Sequence, residues 1–171
     1  MTGGPPPAPV PSQYTTCIVH SSATFRVPPD IITSVLMVEG GKKGTKHRNA
    51  NGTYDLGPMQ INTSHRNKFR RLGLSEKKLQ YNICANIAAG TLMIHKILLK
   101  HPNNPWNALG NYHSTTPRYH RRWLRHFRHA YTLLNTKYQA YTHYLRVHSL
   151  KVAQHNEASN GGWAKTRRRR T

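Results

Sequence analysis

Apolar positions along the chain recur mostly at helical spacing. Ile31, Ile32, Val35, Leu36 and Val38 share one face, which predicts a helix. Val27-Pro28-Pro29-Asp30 opens it, and Gly40-Gly41 ends it. Asn82 to Lys100 is the clearest helix: Ile83, Ile87, Gly90, Ile94, Ile97 and Leu98 share a face, Cys84 sits beside it, and His101-Pro102 closes it. From Arg118 to about Val152 there is no Gly or Pro, and Trp123, Phe127, Tyr131, Leu134, Tyr138, Tyr141 and Leu145 return at helical intervals. Shorter helices are expected at Tyr14 to Phe25, at Ser64 to Leu72, at Ser75 to Leu79 with Ser75 as N-cap, and at Pro105 to Tyr112. Lys42 to Asn51 is polar and basic, a loop. Asn51-Gly52 signals a turn, and Gly52 to Asn62 reads as a small hairpin or extended turn.

These elements predict a mainly α fold with one small β-hairpin or extended turn. The expected layout is a Pro-rich disordered or extended tail over residues 1–13, a folded domain over 14–133, a basic helical extension over 134–155, and a disordered Arg-rich tail over 156–171.

Charge changes the picture more than composition does. The 171 residues carry 26 Lys and Arg against five Asp and Glu, a formal +21. Such a field predicts an anionic partner: nucleic acid, acidic lipid or an anionic polymer such as cell wall. Residues 118–171 hold 13 of the basic side chains and one acid. The two cysteines, Cys17 and Cys84, suit one disulfide in an oxidising compartment or two reduced core thiols, and their spacing excludes a CxxC motif. No segment is expected to span a membrane. MTGGPPPAPVPSQYT lacks the basic and apolar regions of a secretory signal. No metal site or cofactor is expected. His120, His126 and His129 are not at i, i+4 spacing, and no carboxylate joins them.

With so few acids, Glu39 and Asp55 in one segment ask for a reason. Glu39 falls in the last turn of a largely apolar helix, where burial and the helix dipole both raise a carboxyl pKa. A raised pKa suits a general acid at neutral pH. Asp55 follows the Asn51-Gly52 turn. Two carboxylates so placed are a geometry that acid catalysis on sugars can use.

Four stretches in order carry a family resemblance: Glu39-Gly40-Gly41; Asn51-Gly52-Thr53-Tyr54-Asp55-Leu56-Gly57-Pro58-Met59-Gln60-Ile61-Asn62; Asn86-Ile87-Ala88-Ala89-Gly90; and Trp106-Asn107-Ala108-Leu109-Gly110-Asn111-Tyr112. Together, over roughly Cys17 to His120, they resemble the lytic transglycosylases, especially the small members that accompany type IV secretion and conjugation. The resemblance implies a lysozyme-like fold, peptidoglycan glycan strands as substrate, secretion or conjugation components as partners, and a periplasmic or cell-envelope location. It also implies Glu39 as the catalytic acid, Gly57, Met59 and Gln60 lining the sugar groove, Tyr112 holding Glu39, and a Cys17–Cys84 disulfide. Three positions depart from the family pattern. Gly40 stands where Ser is usual, Pro58 replaces Leu or Ile, and Tyr112-His113-Ser114-Thr115 replaces Tyr-Asn-x-Gly.

Asp55 is expected to be a structural or positioning residue of the kind that caps turns, and with Tyr112 it is expected among the substrate-binding residues. The same stretch also resembles the c-type lysozyme segment that holds a second catalytic carboxylate, so a hydrolase using Asp55 is the alternative. A nucleic-acid-binding protein acting through the basic C-terminal part and a catalytically inactive glycan binder are the competing classes.

Overall fold

The structure is a computed structural model that describes the backbone of residues 4–167 and the side chains of residues 4–160. Its helices are α1 (Thr15–Phe25), α2 (Pro29–Glu39), α3 (Arg66–Arg70), α4 (Glu76–Tyr81), α5 (Ile83–Lys100), α6 (Pro105–Ala108), α7 (Pro117–Lys137) and α8 (Gln139–Arg167). Between α2 and α3 lie three short strands, β1 (Lys46–Arg48), β2 (Tyr54–Leu56) and β3 (Ile61–Asn62), antiparallel in that order. The mainly α expectation holds, but the β element is larger than a hairpin. The segment read as a loop contributes β1, which pairs His47 with Asp55. All three β1 residues are exposed, so no apolar alternation marks the strand in the sequence.

The core lies where α1 meets α5 and α8, and where α2 meets α7. Proline in the first turn starts α2, and Gly40 closes it in a left-handed conformation at φ 61°. Ser75 caps α4 as expected, its Oγ accepting from the Lys78 N–H at 3.1 Å. The Asn82 side chain caps α5 in the same way, accepting from Ala85 N–H at 2.9 Å. Cys17 of α1 and Cys84 of α5 form a disulfide with Cα atoms 4.9 Å apart.

Four expectations about organisation are corrected. The Gly- and Pro-free stretch from Arg118 is two helices, broken at Tyr138 (φ −115°, ψ 34°). Leu134 and Tyr141, on either side of the break, are both fully buried. Thr142 Oγ1 donates to the carbonyls of Leu134 and Tyr138 at 3.3 and 3.2 Å. Each of these carbonyls also accepts a backbone N–H, from Tyr138 and Thr142 respectively, so the Thr142 hydroxyl adds a second donor at the break. No boundary falls at 133, since α7 runs through it and Tyr141 and Leu145 of α8 complete the same core. α8 also continues past 155 to Arg167; residues 168–171 lie outside those described. The Pro-rich N-terminal segment, from residue 4 onward, docks rather than standing apart. Val10 is buried in the core, Ala8 packs on it, and Ser12–Tyr14 form a 3-10 turn. Prolines hold such a segment extended beforehand, which lowers the entropy lost on docking.

Finally, α5 is long and apolar enough to cross a bilayer by length and composition, contrary to expectation. In this fold it serves as the central core helix, with Ile87 and Ile94 fully buried.

Candidate active site

Glu39 is the last residue of α2, and Gly40 turns the chain away immediately after it. Its carboxylate Oε1 accepts a hydrogen bond from Trp123 Nε1–H of α7 at 2.8 Å. Burial pushes the Glu39 pKa up to about 7; the Trp123 hydrogen bond opposes the rise and the nearby Asp55 charge adds to it. Such a carboxyl is half-protonated near neutrality, as a general acid requires.

Asp55 is not a turn residue. It sits on β2, the central strand, opposite His47 on one side and Asn62 on the other. Asn62 Nδ2 donates to its Oδ1 at 2.7 Å, and Asn49 Nδ2 donates to Oδ2 at 3.0 Å. Both amides also reach Thr53 Oγ1, at 3.0 and 3.2 Å. Thr53 in turn donates to Asn51 Oδ1 at 2.7 Å. The three strands therefore hold the Asp55 carboxylate in a fixed orientation through amide donors.

The turn after β2 is anchored from below by Asn86 of α5, which is fully buried. Asn86 Oδ1 accepts from Met59 N–H at 2.8 Å, and its amide donates to the carbonyls of Leu56 and Leu79 at 2.7 and 2.8 Å. Gly57 adopts φ +65°, and a Cβ there would overlap the Asn86 amide and come within 2.7 Å of the Leu79 carbonyl. Glycine is therefore required at that position for two reasons, conformation and space. Met59 packs against Gly90, whose missing side chain makes the room.

A cleft runs past Glu39 in two directions. On the sheet side a cavity of about 380 Å³ is lined by Glu39, Asp55, Gln60 and Tyr112, with Asn49 and Asn62. On the other side a cavity of about 520 Å³ lies between the end of α2 and one face of α7. Glu39 and His113 belong to both walls.

The structure thus brings Glu39, Asp55, Gln60 and Tyr112 together, and it corrects three expected roles. Gly57 and Met59 do not line the cleft; both are buried beneath it, and Met59 is 0% exposed. They shape the turn that presents Gln60, whose Nε2 donates to the Gly57 carbonyl at 2.8 Å. Tyr112 does not hold Glu39. Its hydroxyl donates to the Met59 carbonyl at 2.8 Å. Burial and the two carboxylates keep its pKa well above the ordinary phenol value, so it acts only as a neutral donor. Trp123 takes the role expected of Tyr112, with its ring stacked on Tyr112 and Phe127 at centroid distances of 6.0 and 5.5 Å. In the sequence Trp123 is one aromatic of a core stripe, and nothing local separates it from its neighbours. Asn49 lies in a polar loop with no pattern to single it out. Asn62 closes a recognised motif, but its partner is set by strand register.

The Transglycosylase SLT domain profile matches residues 16–135. This chain belongs to the transglycosylase SLT domain family. Among similar proteins of the family are the invasion protein IagB of Salmonella typhimurium, 28% identical over 58% of this chain and 62% of that protein, and protein IpgF of Shigella flexneri, 26% identical over 58% and 66%. A peptidoglycan-binding-like protein of Escherichia coli O157:H7 is 32% identical over 57% and 63%. The chain thus matches less than two thirds of the length of each relative. Within this transglycosylase SLT family the fold is lysozyme-like, and the small sheet beside the helical body is the part that carries Asp55.

Proposed function

We propose that this chain is a peptidoglycan lytic transglycosylase with Glu39 as its single acid/base. The observation that carries the reading is a carboxyl raised to about 7 in the wall shared by two adjoining cavities. A polymer can lie across such a cleft with one sugar on each side of the acid. Protonated Glu39 donates to the glycosidic oxygen between N-acetylmuramic acid and N-acetylglucosamine, and the bond breaks through an oxocarbenium-like state. The resulting carboxylate takes the proton of the muramic C6 hydroxyl. The C6 oxygen then attacks C1, which leaves a 1,6-anhydro end and consumes no water. Gln60 orients the sugar from the sheet-side wall, and Tyr112 supports the turn that presents Gln60 through the Met59 carbonyl.

The substrate places the protein's work in the periplasm or cell envelope. The Salmonella relative is named an invasion protein, which supports local wall opening for a secretion or conjugation apparatus as this chain's role. Glu39→Gln should abolish lysis of purified cell walls while glycan binding persists. Unchanged lysis by that variant would contradict the assignment and favour an inactive glycan binder.

One observation favours a second reading. Asp55 faces the same cavity as Glu39 with both oxygens held by amides, an arrangement in which a second carboxylate can support attack by water. That reading makes the protein a lysozyme-type hydrolase, and it predicts reducing ends in place of anhydro ends.

A further inference from the structure

The cavity on the α7 side of Glu39 has a composition that the sugar chemistry does not use. Arg122, His126, His129 and Leu133 fall at i, i+4, i+7 and i+11 on α7 and all line it, so they form one row along the helix. Met37 and Val38 of α2 supply the facing apolar wall, and the row starts at the chain neighbour of Trp123, which bonds Glu39. At ~1.5 Å rise per residue the row is about 16 Å long.

Among the described residues Arg122 pairs with no carboxylate. The chain has only five acids. Asp30 pairs with Arg146, Glu76 with Arg66 and Glu157 with Arg26. The remaining two, Glu39 and Asp55, lie in the cleft, where Glu39 is engaged by Trp123 and Asp55 by two asparagines. A permanent guanidinium with imidazole donors above an apolar wall, in a concave site, suits a ligand that carries both carboxylates and small apolar groups.

Resting on the glycan-cleaving reading above, we propose that this row is a subsite for the stem peptide of peptidoglycan, with Arg122 binding a stem-peptide carboxylate. An extended peptide covers ~3.3 Å per residue, so about five residues span the row. The peptide hangs from muramic acid next to the cleaved bond, and the row begins next to Trp123, which holds the acid that cleaves it. Binding here gives preference for glycan strands that still carry their peptides. A phosphate backbone would also be drawn to Arg122, but the cavity is concave, half apolar and continuous with Glu39, which favours the peptide over nucleic acid.

The test compares kcat/KM on peptide-bearing glycan strands with that on the same strands stripped by an amidase. Wild type is measured beside Arg122→Gln, His126→Gln and Arg125→Gln, the last an exposed arginine of the same helix that does not line the cavity. The ratio of the two kcat/KM values should favour peptide-bearing strands in wild type. It should drop about tenfold in Arg122→Gln, as expected for loss of a charge-assisted hydrogen bond, drop less in His126→Gln, and hold in Arg125→Gln. Equal losses on both substrates, or equal effects of Arg122→Gln and Arg125→Gln, would overturn the subsite and point to general charge attraction. So would an unchanged ratio in a variant that has lost affinity for DNA. Cleavage of neither substrate by wild type would overturn the glycan-cleaving reading itself, and this inference with it.

Discussion

Trp123 Nε1–H donates to Glu39 Oε1 at 2.8 Å, joining the first residue of the α7 aromatic stack to the last residue of α2. The bond favours the ionised carboxylate, while burial and Asp55 favour the acid. Trp123→Phe keeps the stacking surface and removes the donor. The Glu39 pKa should then rise above about 7. Because the acid form starts the reaction, the alkaline limb of the kcat/KM profile should move to higher pH. A limb that stays put or moves down would show that Trp123 does not tune Glu39.

Glu39 also makes stability depend on pH. Its folded value, about 7, lies above the ordinary value of 4.5, so the unfolded chain gives up this proton first. Stability therefore falls as pH rises from about 4.5 to about 7, and the penalty is complete above that window. At about 1.4 kcal/mol per unit the cost approaches roughly 3 kcal/mol. Glu39→Gln should be more stable than wild type at pH ~8 by up to this amount, with little difference at pH ~4. Urea unfolding at the two pH values measures it, and equal differences at both would exclude the burial cost.

Asn86 is the support of the Gly57–Gln60 turn. Asn86→Ala removes one acceptor and two donors from a fully buried position, and the expected loss is roughly 3 kcal/mol of stability. Gly57→Ala should cost at least ~1 kcal/mol through strain alone. Both should lower the thermal midpoint and weaken glycan binding together, because the turn carries Gln60. A fully stable Asn86→Ala protein would mean that the turn is held by other contacts.

The Cys17–Cys84 bridge closes a loop with a sequence separation of 67. Its removal by the double Cys17→Ser, Cys84→Ser change should lower stability by roughly 4 kcal/mol in the chain-entropy account. Thermal unfolding with and without reductant tests this, and insensitivity of the wild-type midpoint to reductant would argue against a stabilising bridge.

Much of this architecture is legible in the chain because its helices carry unbroken apolar faces and clear stops: Pro28-Pro29 and Gly40 around α2, Asn82 and His101-Pro102 around α5. Glu39 stands out because acids are scarce and a motif follows it. What the chain does not reveal depends on long-range partners. The break at Tyr138 has no Gly or Pro and exists because Thr142 and the buried Leu134 and Tyr141 stabilise it. β1 is wholly exposed and has no alternation. Whether Tyr112 or Trp123 reaches Glu39 depends on how α7 crosses α2. A motif match likewise cannot tell a residue that lines the cleft, such as Gln60, from one that supports it from beneath, such as Met59.

In the proposed reaction Glu39 alone drives an intramolecular transfer. The direct measurement is the mass of the products released from purified peptidoglycan by wild type, Asp55→Asn and Glu39→Gln. The expected products are 1,6-anhydro muropeptides, one water lighter than their reducing counterparts, from wild type, the same products from Asp55→Asn, and none from Glu39→Gln. Reducing ends from wild type, lost in Asp55→Asn, would contradict the proposed reaction and make the protein a two-carboxylate hydrolase.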